Sequence, residues 1–381
     1  MRLVLDKTPS PGRQGALLSL LRKEWLLPIS LGTSFAFFRW GDSIFAALEH
    51  PLGRVIVFLW LFGIILGSAL TVVRHAETLA ERLGEPYGTL ILTLSVTFIE
   101  VMSISAVMLH GDNNPTLVRD TLYAVVMIIL NGMVGLSLLV GAWRHREQSY
   151  NLQGANAYLS AVVPLVVLSL VLPTFTVTTK GPTLSNAQQG FFVFAAVGLY
   201  TVFLAMQTGR HRGYFTLTED LGQEKAREAR HAPLAWPAVM LAAYMAPVVI
   251  LAEQLAHPID YVIETLQMPT ALGGIAIAVL VATPEATGAV RAAAANHLQR
   301  SVNIFLGSVL STIALTVPAM ILMSHLTGRP FILGVEGADL VLLLLTLAVS
   351  FLTFASGRTN VIQGAVHLIL FGAYLLLIYQ N

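Results

Sequence analysis

The sequence predicts an all-α integral membrane protein of about eleven transmembrane helices, an N-terminal helix followed by two inverted five-helix repeats. Three observations point there. Of 381 residues, 55% are hydrophobic and only 11% charged, with a mean hydropathy of +0.73, whereas soluble domains carry roughly 25% charged residues. Eleven stretches come close to the roughly 20 apolar residues that a helix needs to cross the hydrocarbon core. The longest polar segment, 209–233, parts these stretches and leaves five of them behind it.

In chain order the spans are expected near 24–46, 55–73, 88–110, 121–143, 155–173, 188–208, 235–255, 268–291, 302–325, 338–355 and 361–378. Arg39 and Asp42 interrupt the first, which makes it the weakest; without it ten remain. Residues 1–23 are polar and lack a small-residue cleavage site, so they are expected to form a cytoplasmic segment and no removable signal peptide. An extra helix and loop then occupy 24–54, a first five-helix repeat 55–208, a cytoplasmic linker 209–233 and a second repeat 234–381. Five helices are an odd number, so the second repeat enters the membrane with opposite polarity, an arrangement that places sites at the repeat interface near the midplane.

Lys and Arg stay on the cytoplasmic side of a membrane protein. With the N-terminus inside, 17 of the 22 basic residues fall on the inner side, and Arg39, Arg54, Arg119, Lys180 and Arg329 remain outside. The C-terminus is then outside. Against 22 Lys and Arg stand 21 Asp and Glu, so the net charge is +1 and no basic field exists to hold nucleic acid. There is no cysteine, which excludes disulfides, thiolate metal sites and thiol nucleophiles. No HExxH or GxSxG motif marks an intramembrane enzyme, and no cofactor is expected.

Two acids lie in the middle of spans, where a charge costs roughly 2.5 to 3.5 kcal/mol. They are Glu100 in the third span and Glu285 in the eighth, each on the second helix of its repeat. No Lys or Arg lies near either within its span. At about 100° per residue, Thr89, Thr93, Thr97 and Glu100 share an arc of about 80°. The eighth span carries Gly274, Ala278, Ala282, Gly288, Ala289 and Ala292, small residues that allow close helix crossing. Pro284 is expected to kink or locally unwind this helix and free the carbonyl of Leu280. Asn131 in the fourth span, and Asn303, Gly307, Ser308, Ser311 and Thr312 in the ninth, extend the polar theme. All these donors are oxygen, which suits Ca2+, Na+, K+ or Mg2+ better than zinc or copper. His367, the one histidine well inside a span, is expected to be a hydrogen-bonded packing residue.

At these residues the chain resembles the Ca2+:cation antiporter superfamily, especially the bacterial calcium/sodium-proton antiporters of its cation/proton exchanger branch. LGEPYGTLILTLSVTFIEV (83–101) resembles the first α-repeat, and VATPEATGAV (281–290) with NIFLGSVLSTIALTVP (303–318) the second. Relatives place a Gly-Ser pair 22 residues beyond the second acid, and Glu285 plus 22 is Gly307, followed by Ser308. Val96 and Thr97 replace the usual Gly-Asn before Glu100, Val281 and Ala282 replace it before Glu285, and Ala286 stands where many relatives have histidine.

The resemblance covers about residues 50–378 and implies a ten-helix inverted-repeat core in the bacterial cytoplasmic (inner) membrane. It implies a secondary active antiporter exchanging a metal cation, Ca2+ foremost with Na+ or K+ as alternatives, for protons. The partners expected are cations, protons and the lipid bilayer. A carboxylate in a dry cavity is stable protonated or beside a cation and costly as a bare anion, so H+ and metal should exclude one another at Glu100 and Glu285. Thr97, Asn131, Asn303, Ser308 and Ser311 complete the expected ligand set. A passive cation channel using the same carboxylates is the rival reading.

Overall fold

The computed structural model describes residues 24–84, 87–110, 114–215 and 234–379. The segment 1–23 and most of the linker 209–233 lie outside the described residues. Among the described residues eleven long helices run in order: α1 (Leu26–Phe45), α2 (Pro51–Leu83), α3 (Tyr87–Leu109), α4 (Leu117–His145), α5 (Leu152–Phe175), α6 (Asn186–Thr208), α7 (Ala235–Thr265), α8 (Ala271–Ala294), α9 (Leu298–Thr327), α10 (Gly337–Thr353) and α11 (Val361–Ile378). Among the described residues, nine are long and apolar enough to cross a membrane. The 17-residue α10 and α1, with its Arg39 and Asp42, fall outside that set. The chain is a multi-pass, all-α membrane protein.

Local sequence sets several helix starts. Ser185 and Gln188 form a reciprocal capping box at the head of α6, and Asn360 and Gln363 form another at α11. The Asn151 side chain caps α5 through the amides of Gln153 and Gly154. Two short strands not foreseen in the sequence, β1 (Gln148–Ser149) and β2 (Arg358–Thr359), pair antiparallel and tie the α4–α5 loop to the α10–α11 loop. Large apolar side chains such as Phe38, Trp143 and Phe194 point outward, a surface that water would penalise and acyl chains accept.

The two halves pack through each other. The first helices of the repeats, α2 and α7, lie side by side, and α8 crosses α4. Gly274 makes that crossing possible: a Cβ there would stand 2.7 Å from the backbone carbon of Asp120. At the predicted inner end, Glu24 pins α1 to the pair. It accepts from Arg74 of α2 at 2.8 Å and from Tyr244 of α7 at 3.0 Å.

One expectation is corrected. α8 runs as one continuous helix through Pro284, so the local unwinding expected there is absent; a proline removes a single donor, and the bonds on either side carry the helix on. Departures from α geometry lie elsewhere: Trp40 takes non-helical backbone angles inside α1, and π turns occur at 128–133 in α4, 167–171 in α5, 261–265 in α7 and 312–316 in α9. An inserted residue of this kind re-aims the side chains around it and recurs at functional sites.

Candidate ion-binding site

Glu100 and Glu285 each stand nine residues before the last residue of their helix, about 13 to 14 Å from that end at 1.5 Å per residue. That is mid-membrane depth for both. Glu100 is 1% exposed. Its Oε2 accepts from Thr316 at 2.8 Å and from Thr312 at 3.1 Å, both in the π-turn region of α9. Its Oε1 is buried without a hydrogen-bond partner. The carboxyl of Glu285 lies within electrostatic reach of it and accepts from the hydroxyl of Ser308. α9 therefore serves both acids. The ion pairs formed among the described residues are Arg74–Glu24, His75–Glu24 and Arg119–Asp120, and none touches either acid.

A cavity of about 250 Å³ reaches Glu285 from the predicted inner face. Exposed Glu77 of α2 and Arg300 of α9 stand at its mouth, and Tyr158, Tyr200 and Gln207 line one wall. Thr89 and Thr93 of the predicted hydroxyl stripe face it, as do Asn303, Ser308 and Ser311. Asn303 is held by its neighbours, donating to the carbonyl of Phe215 at 2.7 Å and accepting from Gln299 at 2.9 Å. Ser311 donates to the carbonyl of Ser308 at 2.9 Å, which leaves its lone pairs for a guest.

Two residues of the expected ligand set stand apart. Thr97 is buried on α3 but does not line the cavity. Asn131 belongs to a different polar network. Its Nδ2 donates to Thr346 at 2.9 Å, its Oδ1 meets His367 Nδ1 at 3.2 Å, and His367 Nε2 meets Thr353 at 2.9 Å. The π turn at 128–133 carries Asn131 toward α10 and α11, and both ends of its amide are engaged there. His367 is hydrogen-bonded within the packing, as the sequence led us to expect.

Sequence reasoning left out Thr316 and placed Thr312 only loosely. The signal was present: Ser308, Thr312 and Thr316 recur every four residues, a hydroxyl stripe along one face of α9.

The sodium/calcium exchanger protein family profile matches residues 54–209 and 236–380. The chain belongs to that family. The matched segments coincide with the two five-helix halves, and the superfamily resemblance read from the sequence holds. Among relatives, the chain is 39% identical to the sodium-potassium/proton antiporter ChaA of Escherichia coli strain K12 over 291 residues, covering 75% of this chain and 78% of that protein. It is 22% identical to the Ca2+/H+ antiporter ChaA of Bacillus subtilis strain 168 over 271 residues, covering 68% and 75%. The solved structure of native YfkE superposes with a TM-score of 0.70 at 19% identity, covering 93% of this chain and all of that one; it shares the fold.

Proposed function

We propose that the protein exchanges a metal cation for protons across the bacterial inner membrane, with Glu100 and Glu285 as the shared site. One observation carries this reading: two mid-membrane carboxyl groups on equivalent helices of the repeats are served by hydroxyls of one helix, and among the described residues no ion pair joins a cationic side chain to either. A bare carboxylate in that setting is costly, so a proton or a metal ion must neutralise it. Occupancy by one expels the other, and this competition couples the two fluxes. The cavity that reaches Glu285 is the ion's route from one side, with the N-terminus on the same, inner side.

The cation we favour is Na+ or K+, with Ca2+ as the second reading. The more similar relative is named for sodium and potassium, at 39% identity against 22% for the one named for calcium. The donor set agrees. Ca2+ takes 6–8 oxygens, and here Val96, Thr97, Val281 and Ala282 occupy places where the resembling exchangers carry Gly-Asn, which thins the carbonyl ligands. The paired carboxylates favour Ca2+, because their charge matches a divalent ion.

Purified protein in sealed liposomes should acidify or alkalinise the lumen when Na+, K+ or Ca2+ is added under a pH gradient. Glu100→Gln and Glu285→Gln should abolish the signal while the protein still inserts. Unchanged flux in both variants defeats the assignment. Ion passage without proton movement favours the channel reading.

A further inference from the structure

The predicted outer end of the bundle holds side chains that the proposed site does not use. His110 follows the last turn of α3, and His257 and Asp260 lie near the end of α7. His110 Nε2 and His257 Nδ1 meet at 3.2 Å, with ring centroids 4.0 Å apart. The His257 ring also rests on Phe45 of α1, at 4.0 Å. Beside this pair lies a small cavity of about 10 Å³, lined by Val107, His110, Asn114, Leu117, Asp260 and Glu264 among others. Asp260 Oδ2 is buried there without a hydrogen-bond partner. Such an oxygen is expensive to keep unless water, a proton or a cation visits it.

The repeat symmetry says what this place is. The inner cavity lies between α2, α3, α8 and α9, with α5 and α6 forming a further wall and Glu77 of α2 near its mouth. Exchanging each helix for its counterpart in the other repeat gives α7, α8, α3 and α4, with α10 and α11. The outer cavity is bounded by three of these, α7, α3 and α4. Glu77 precedes Glu100 by 23 residues, and Asp260 precedes Glu285 by 25. The two places are therefore counterparts, one open to about 250 Å³ and the other closed to about 10 Å³.

We propose that the His110–His257 pair is the outer gate of the ion pathway and that Asp260, about one turn outward on α7, is the last carboxylate in front of it. This rests on the exchanger reading of Glu100 and Glu285. An ion from the outer surface meets Glu264 and then Asp260, and when the imidazoles part, the small cavity joins the interior. Acidic neighbours favour a cation there: Asp42 of α1 lies within electrostatic reach of His257, and Glu264 within that of Asp260. Phe45 backs the gate, which gives the extra N-terminal helix a task.

The chain has no cysteine, so a His110→Cys/His257→Cys variant carries a single pair of thiols. Bridging them with a short, cleavable bifunctional thiol reagent should lower cation/proton exchange in liposomes at least about tenfold relative to the same vesicles unbridged. Reduction should restore it. Undiminished exchange with the bridge verified by mass spectrometry overturns the gate. If the double variant is inactive before bridging, labelling decides. Val107→Cys, buried on α3 about one turn inward of His110, should react at least about tenfold faster with an impermeant maleimide from the outer side once His257→Ala is added. An equal rate overturns the proposal. Parallel vesicles of the unaltered protein keep the two readings apart: absence of any exchange there refutes the exchanger, while labelling still reports on the gate.

Discussion

Thr316 of α9 donates its hydroxyl to Glu100 of α3 at 2.8 Å, across the seam between the two halves of the chain. The bond joins the first repeat's acid to the second repeat's π-turn region. A hydroxyl so placed stabilises the carboxylate, and the carboxylate is the form that can receive a cation.

Thr316→Val removes this donor with little change of volume. A hydrogen bond to a charged group is worth about 1.5–3 kcal/mol, so the half-saturating cation concentration should rise roughly 10- to 100-fold. Thr316→Ser should restore most of the loss. Cation titrations of proton flux in everted vesicles make the comparison; an unchanged half-saturation would show that Thr316 does not support the charge on Glu100.

The α8–α4 crossing gives a packing test. A Cβ on Gly274 would lie 2.7 Å from the Asp120 carbon and 2.8 Å from the Thr121 nitrogen, both backbone atoms. Gly274→Ala must push the helices apart and should cost about 1–3 kcal/mol. Gly198 of α6 has nothing within 4 Å of its Cβ direction, and Gly198→Ala should be neutral or slightly stabilising. Melting in detergent, read side by side, distinguishes them.

His367 ties α11 to Asn131 of α4 and Thr353 of α10. His367→Ala leaves these buried partners unsatisfied, at about 1–3 kcal/mol for each orphaned group. A lower thermal midpoint is expected, with the cation half-saturation of the folded fraction unmoved. A shift in half-saturation would return the Asn131 network to the transport site.

Tyr150, in the loop between β1 and α5, has its phenol pushed up from 10 to about 12 by burial. The folded protein then holds this proton more tightly than the unfolded chain does. Stability should be unaffected by this group below pH 10, fall as pH rises above 10, and finish falling beyond about 12. Thermal midpoints at pH 9 and 11 should differ less in Tyr150→Phe than in the unaltered protein.

The acids were legible because a charge in an apolar run has few structural excuses, and Ser308 followed from its spacing after Glu285. What the sequence could not convey was rotation about helix axes. A π turn adds a residue without any composition to announce it, so Asn131, expected among the ligands, instead bonds to Thr346 and His367. Thr312 was named and Thr316 was legible as the next step of the four-residue hydroxyl spacing after Ser308; their meeting with Glu100 across the seam of the halves was not. Glu77 and Arg300 sit at span ends, where charges are ordinary, and only the cavity between them singles them out. Pro284 carried a partly false cue: it removes one helical bond, but α8 continues through it without unwinding.

The first helix touches α7 near both of its ends, through Glu24 and Tyr244 at one and through Phe45 and His257 at the other. Although the helix breaks at Trp40, a segment fastened to one neighbour on both sides of that break cannot lag behind it. Whatever stroke α7 makes as the bundle changes its access, α1 must copy at the lipid boundary. A fluorophore on that accessible rim would report the working cycle without a probe inside the pore.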